Sequence, residues 1–281
     1  IPVGTLVASD AHLTDDLFGW KLGGVYKPAS NGSIYVSYAT SELPPGGANF
    51  ALNTTNASNN INNPNLDPQK GTNAELGTKW NVLDNKLFLT AALFRSTNEN
   101  EIATNPDGSS VAVGEKQVEG VELGAVGSLT EKWQISAGLA FMDNEITRGN
   151  RTVDDPNTTA EASGNNEGGA IQWSPKTTFT LWSSYTFDSG LQIGGGARYV
   201  DTMVSSSIVN PLAQSTRSVL EFGDYWVFDA MASYPFSKNL SLQLNLLNIA
   251  DEEYVASLNN GGSRYYPGAP LSARLGVNFS F

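Results

Sequence analysis

The segment Leu271-Ser-Ala-Arg-Leu-Gly-Val-Asn-Phe-Ser-Phe281 constrains the fold more than any other part of the chain. Leu271, Ala273, Leu275, Val277, Phe279 and Phe281 fall on one parity, and Ser272, Arg274, Gly276, Asn278 and Ser280 on the other. Strict period-2 alternation is the signature of a strand with one apolar and one polar face. A soluble sheet ending this way leaves an apolar edge open to self-association. In a membrane barrel, lipid covers the apolar face and a neighbouring strand covers the edge. A last strand of a soluble sandwich would alternate in the same way, so the rest of the chain has to separate the two.

Alternation recurs in about eleven segments, near residues 18–27, 32–41, 71–82, 85–96, 115–128, 131–147, 171–187, 190–202, 223–236, 238–249 and 268–281. Very short turns are expected at Pro28–Asn31, Leu83–Asp84, Leu129–Thr130, Asp188–Ser189 and Ser237. Between them lie five long polar segments, 42–70, 97–114, 148–170, 203–222 and 250–267, each expected to be a loop. Compact soluble domains seldom hold structureless loops beyond ~12–15 residues. Short turns at one end and long loops at the other are the organisation of an outer-membrane barrel. The reading is therefore all-β, a transmembrane antiparallel barrel, with residues 1–281 as one barrel portion. A hydrophobic content of 40% does not oppose it, because lumen residues dilute lipid-facing ones one for one.

Two aromatic belts are expected: Tyr26, Trp80, Trp133, Phe187, Tyr234, Phe279 and Phe281 near the short turns, and Trp20, Phe141, Tyr199 and Trp226 near the loops. Phe279 and Phe281 are also the barrel-terminal residues. The polar parity collects Glu75, Lys79, Glu122, Arg198, Asp229 and Arg274, which are expected to face the lumen or whatever fills it. A formal charge of −12 argues against nucleic acid as a partner.

Four segments resemble the TonB-dependent outer-membrane siderophore receptors. Leu66-Asp-Pro-Gln-Lys-Gly-Thr-Asn-Ala-Glu-Leu-Gly-Thr-Lys79 is similar to the family's L-x-P-E-x-(S/G)-x-x-Y-E-x-G-x-K pattern, departing from it at Gln69 and Ala74. Gln117-Val-Glu-Gly-Val-Glu122 resembles V-x-G-x-E, and Ser174-Pro-Lys-Thr-Thr-Phe-Thr-Leu-Trp182 resembles the family's P-x-x-T-x-x-L-W strand. Leu244-Asn-Leu-Leu-Asn-Ile-Ala-Asp-Glu-Glu-Tyr254, with Pro267 through Phe281, resembles the closing strands, with Leu271 where arginine often follows the proline. Gly223–Met231 and Leu258–Arg264 are most similar to the catecholate branch.

The resemblance implies a barrel of roughly 22 strands around a plug, of which this chain covers the C-terminal half without the plug or a signal peptide. It implies a receptor in the bacterial outer membrane that binds a ferric siderophore, catecholate favoured, at its extracellular loops and imports it with TonB-derived energy. The implied partners are the TonB complex, reached through an N-terminal region absent from this chain, the remaining barrel and plug, and outer-membrane lipid and lipopolysaccharide. Iron would travel inside the siderophore, so no cofactor and no protein-bound metal is expected. A passive porin and a loop-presenting adhesive barrel are the alternatives.

No catalytic constellation is present: His12 is the single histidine and there is no cysteine. Asp154, Asp155, Glu161 and Glu167 could supply oxygen ligands to calcium, but their spacing matches no EF-type loop, and they read as a solvated acidic loop. Asn53–Asn65 reads as an outer loop. Capture of a bulky, anionic, ring-bearing complex by an acidic chain demands local cations beside aromatic surface. The candidates are Arg148, Arg151, Trp173, Lys176, Arg217, Tyr225, Arg264, Tyr265 and Tyr266, with Arg264-Tyr-Tyr266 ranked first.

Overall fold

A computed structural model describes residues 16–44, 67–104, 110–149, 166–205, 221–258 and 264–280. The strands, in order, are β1 (Trp20–Ala29), β2 (Gly32–Leu43), β3 (Gln69–Val82), β4 (Leu87–Thr104), β5 (Ser110–Ser128), β6 (Trp133–Arg148), β7 (Thr177–Thr186), β8 (Gln192–Val200), β9 (Met203–Val204), β10 (Glu221–Phe222), β11 (Tyr225–Pro235), β12 (Leu240–Leu247), β13 (Val255–Leu258), β14 (Tyr265–Pro267) and β15 (Ser272–Phe279). Eleven form one sheet in the order β1-β2-β3-β4-β5-β6-β7-β8-β11-β12-β15, while β9–β10 and β13–β14 are separate two-stranded ribbons. Every neighbouring pair in the large sheet is antiparallel.

The short turns have local causes. Ser237 Oγ accepts from the amides of Asn239 (3.2 Å) and Leu240 (3.1 Å), and Thr130 Oγ1 accepts from Trp133 (3.1 Å), so hydroxyls replace missing ladder partners. Leu83, Asp84 and Asn85 reverse the chain with φ of 52°, 56° and 65°. At the opposite end the sequence reading needs four corrections. Residues 97–114 are not a long loop: β4 runs on to Thr104 and β5 starts at Ser110, leaving 105–109 between them. The ion pair Lys116–Glu101 and the Thr147 hydroxyl bonded to Glu115 (2.9 Å) support this polar extension, so low hydrophobicity marks strand that has left the apolar zone. The strand expected from 171 begins at Thr177, and the one expected from 268 begins at Ser272. The segments 203–222 and 250–267 contain the two ribbons.

Register aligns the apolar parity into rows across strands. Val36, Leu76, Leu93, Val121 and Phe141 are successive partners, as are Leu139, Phe179, Tyr199 and Trp226. Two residues further toward the loops the first row becomes Tyr38, Ala74, Arg95, Glu119 and Asp143, with Arg95 Nη2 and Glu119 Oε2 2.6 Å apart. On β4, β5 and β6 the apolar surface therefore gives way to charge just above the height of Phe141. From Trp133 to Phe141, β6 climbs roughly 27 Å, about 20 Å of height at the usual tilt and close to the ~25 Å apolar band of outer-membrane barrels. Aromatic pairs flank the band: Tyr199–Trp226 (ring centroids 4.9 Å) above, Tyr185–Phe187 (4.9 Å) and Tyr234–Phe236 (5.0 Å) below.

Among the described residues the buried apolar side chains are only Leu87, Ile146, Phe222, Tyr225 and Val227. Val36, Leu93, Leu275, Val277 and Phe279 are all more than half exposed. A water-soluble sheet of this size could not leave its apolar rows uncovered. No helix of the described residues is long and apolar enough to cross a membrane.

Candidate ligand-binding site at the loop end of the lumen wall

The parity opposite the apolar rows forms the inner wall. There Tyr35 donates to Glu75, and Lys79 Nζ lies 5.0 Å from the Tyr35 ring centroid, a cation over an aromatic face. Arg198, on β8, faces Val227 in register and donates from Nη2 to the Tyr254 hydroxyl at 3.2 Å. The Tyr254 ring stacks on Tyr225, at the loop end of β11, with centroids 4.3 Å apart and planes 26° from parallel. Tyr225 is 9% exposed and forms the floor of this stack, whereas Arg198 is exposed and makes no ion pair among the described residues. One guanidinium thus stands beside two stacked phenols on the inner wall.

Asp229 and Asn248 support the stack from behind. The Asn248 amide donates to Asp229 Oδ1 at 2.8 Å, and its side-chain Nδ2 reaches the carbonyls of Glu252 and Ala269, each at 2.9 Å. Next to the stack is a cavity of about 720 Å³ lined by Asp224, Asp251, Glu252, Glu253, Tyr254 and Tyr265, among others. Its carboxylates repel anions, so within this region an anionic ligand is attracted by Arg198 rather than by the cavity walls.

The structure distributes the residues expected from sequence differently. Tyr225 belongs to the stack, and Arg198, assigned to the lumen wall, supplies its cation. Of Arg264-Tyr-Tyr266, Tyr265 lines the acidic cavity, whereas Tyr266 is absent from its lining and 71% exposed. Lys176 pairs with Asp143 (3.4 Å) and borders a groove with Leu93, Glu119 and Phe141, whose parity is the outer one. Arg148 pairs with Glu115 (3.4 Å) at the top of β5 and β6. Trp173, at φ 62°, packs on Phe222 (5.9 Å) in a cluster where Gln172 Nε2 bonds the Ser205 carbonyl at 2.7 Å. Arg151, Arg217 and Phe281 lie outside the described residues, as do His12, Asp154, Asp155, Glu161 and Asn53–Asn65. Glu122 and Arg274 keep the inner parity, opposite Ala140 and Asn245, and Phe279 is 65% exposed on the outer one. Among the described residues no cluster of three or more acidic, histidine or cysteine side chains could hold a metal ion.

Tyr254 was not among the candidates: it sits in the closing motif, and it meets Tyr225 and Arg198 only through the fold. The signal was the Tyr at a fixed distance from Asn248, which gives no hint of Tyr225 in linear order.

These features define an outer-membrane β-barrel wall with a polar inner face and a cation–aromatic site at its loop end. The chain belongs to the TonB-dependent receptor-like β-barrel family, whose model matches residues 3–249. The catecholate siderophore receptor Fiu of Escherichia coli K12 is 39% identical over 280 residues, covering 100% of this chain and 34% of that protein. The probable TonB-dependent siderophore receptor PiuA of Acinetobacter baumannii is 36% identical over 282 residues, covering 100% of this chain and 36% of its own length. The crystal structure of Fiu in its closed form superposes with a TM-score of 0.76 at 39% identity, over 94% of this chain and 35% of Fiu. That of PiuA gives 0.74 at 33% identity, over 92% of this chain and 35% of PiuA. The chain thus spans about a third of the length of the relatives it matches.

Proposed function

We propose that this chain is part of the wall of a receptor that captures a ferric siderophore at its loop end and imports it with energy supplied through TonB. The observation that carries the reading is the Arg198–Tyr254–Tyr225 arrangement on the inner wall of a chain from this family. Iron complexes of catecholates are anionic and ring-bearing. A guanidinium meets the charge, and stacked phenols offer a flat apolar face to the ring edges. The names of Fiu and PiuA support a siderophore, and that of Fiu favours a catecholate.

In this reading Glu75, Lys79, Glu122, Asp229 and Arg274 line the passage and meet a plug supplied by the remainder of the receptor. Ligand capture is signalled to that plug, which TonB opens. The apolar rows meet lipid, and the charged row at Arg95, Glu119 and Asp143 meets the headgroups of lipid or lipopolysaccharide. The residues move no bonds of the ligand; the task is binding and transport, not catalysis.

The test is binding of a panel of ferric siderophores to the full-length receptor, read by tryptophan fluorescence, with Arg198→Ala alongside. The expected result is saturable quenching by one class of ferric complex and weaker binding in the variant. Absence of binding across the panel, with open-channel conductance in bilayers, overturns the reading in favour of a porin.

A further inference from the structure

Asn248 does more than terminate β12. It is 2% exposed and adopts φ 51°, a left-handed conformation that asparagine tolerates better than most side chains. Its backbone amide donates to Asp229 Oδ1 on β11 (2.8 Å), and its Oδ1 accepts from the Glu252 amide (2.9 Å). The two hydrogens of Nδ2 are divided between the Glu252 carbonyl, on the limb leaving the wall, and the Ala269 carbonyl, on the limb returning to it (both 2.9 Å). The carboxamide's donors and its acceptor are thus all engaged.

The region tied by these bonds carries Tyr254. The Gly268 amide donates to the Tyr254 carbonyl at 2.7 Å, and a Cβ added at Gly268 would lie 2.2 Å from the Tyr254 ring. The ring therefore rests on the returning limb, directly before Ala269, and its height against Tyr225 is set by how closely the two limbs are drawn together. A second tie, Leu271 N to Asp251 Oδ1 (2.8 Å), fixes the base of the returning limb but does not touch the Gly268–Ala269 step.

We propose that Asn248 is the positioning residue of the ligand site: by bridging Glu252 and Ala269 while docked on Asp229, it holds the Tyr254 ring on Tyr225 and its hydroxyl within reach of Arg198. The proposal rests on the siderophore reading for its functional meaning. Only asparagine combines the left-handed backbone with two donors and one acceptor at this reach. Glycine keeps the backbone and the bond to Asp229 but loses the bridge. Aspartate keeps the acceptor for Glu252 N–H but turns a carboxylate toward two carbonyls and toward Asp229.

The experiment uses the full-length receptor labelled with 3-fluorotyrosine, the Tyr254 resonance being assigned with Tyr254→Phe. Asn248→Gly and Asn248→Asp are compared with wild type for the 19F shift of Tyr254 and for binding of a ferric tris-catecholate complex. The heat-modifiable gel shift of a folded barrel checks insertion, and Asn248→Asp serves if Asn248→Gly does not insert. The expected result is a Tyr254 resonance moved toward that of free fluorotyrosine and a Kd raised roughly ten-fold, as loss of both bridging bonds would give. Adding Tyr254→Ala to the Asn248 variant is then expected to weaken binding no further, because the ring is already displaced. An unmoved Tyr254 resonance, or losses from Asn248 and Tyr254 that add in full, overturns the proposal. If the wild type binds no ferric complex, the siderophore reading falls and the 19F shift alone decides on Asn248.

Discussion

Trp80 lies across Gly32, its register partner on the neighbouring strand, so closely that a Cβ on Gly32 would sit 2.2 Å from the indole ring. The ring is held there by its Nε1–H, which donates to Thr78 Oγ1 at 2.6 Å. Gly32→Ala is expected to push the indole off the sheet and break that bond. Overpacking of this kind costs about 1–3 kcal/mol, measured as a lower denaturation midpoint of the full-length receptor with ligand binding unchanged. An unaltered midpoint would mean that Trp80 has another place to go.

Leu244 and Gln243 are neighbours on β12 with opposite parity, Leu244 paired with Leu275 and Gln243 with Gly276. Leu244→Arg is expected to cost about 2–4 kcal/mol for a charge turned toward mid-bilayer, whereas Gln243→Arg on the inner face is expected to be far milder. Refolding titrations in lipid vesicles would show the difference. Equal costs would contradict the assignment of faces.

Arg198→Ala removes the cation beside the tyrosine stack, and Arg198→Lys keeps the charge but loses the planar fork. The expected order of affinity for an anionic ferric complex is wild type, then lysine, then alanine, with alanine weaker by roughly ten- to a hundred-fold, as a charge-assisted contact of ~1.5–3 kcal/mol implies. Titrations at low and high salt check the cause: the gap between wild type and alanine should narrow as salt screens the charge.

Lys132, in the turn before β6, bonds Asp188 in the next short turn, and this contact raises its pKa above the ordinary 10.5. A lysine whose folded pKa is raised contributes stability that is fully present below its unfolded pKa and is lost as pH climbs through the folded value. Asp188→Asn should therefore be slightly less stable than wild type at pH 8, and the difference should vanish on going well above pH 10.5. The effect is small because the pair is solvent-exposed. Paired thermal melts across that range provide the check.

The eleven-strand sheet was legible because alternation survives in every strand that meets lipid, as Leu240, Leu242, Leu244 and Leu246 do on β12. The turns were legible from residues such as Ser237 and Thr130, whose hydroxyls act within two or three positions. What failed was the polar extension through 97–114, because Asn98, Glu99, Glu101 and Lys116 look alike in a loop and in a strand standing in water. The candidate site was legible in its residue types and not in which residues the fold brings together. Arg264, Tyr265 and Tyr266 are adjacent in sequence, whereas Arg198, Tyr225 and Tyr254 are brought together by a strand, its neighbour and a returning segment. Short-range pattern carries no information about such a meeting.

Among the described residues the sheet holds an odd number of strands, and its two edges, β1 and β15, therefore run in the same direction. Bending the sheet round to join its own edges, or fitting two copies edge to edge in the same orientation, would create parallel seams in an otherwise antiparallel wall. An insert that restores antiparallel pairing at both seams must itself be odd-numbered, with its first and last strands running opposite to β1. Any scheme for splitting and reassembling such a receptor from separate pieces has to respect that arithmetic.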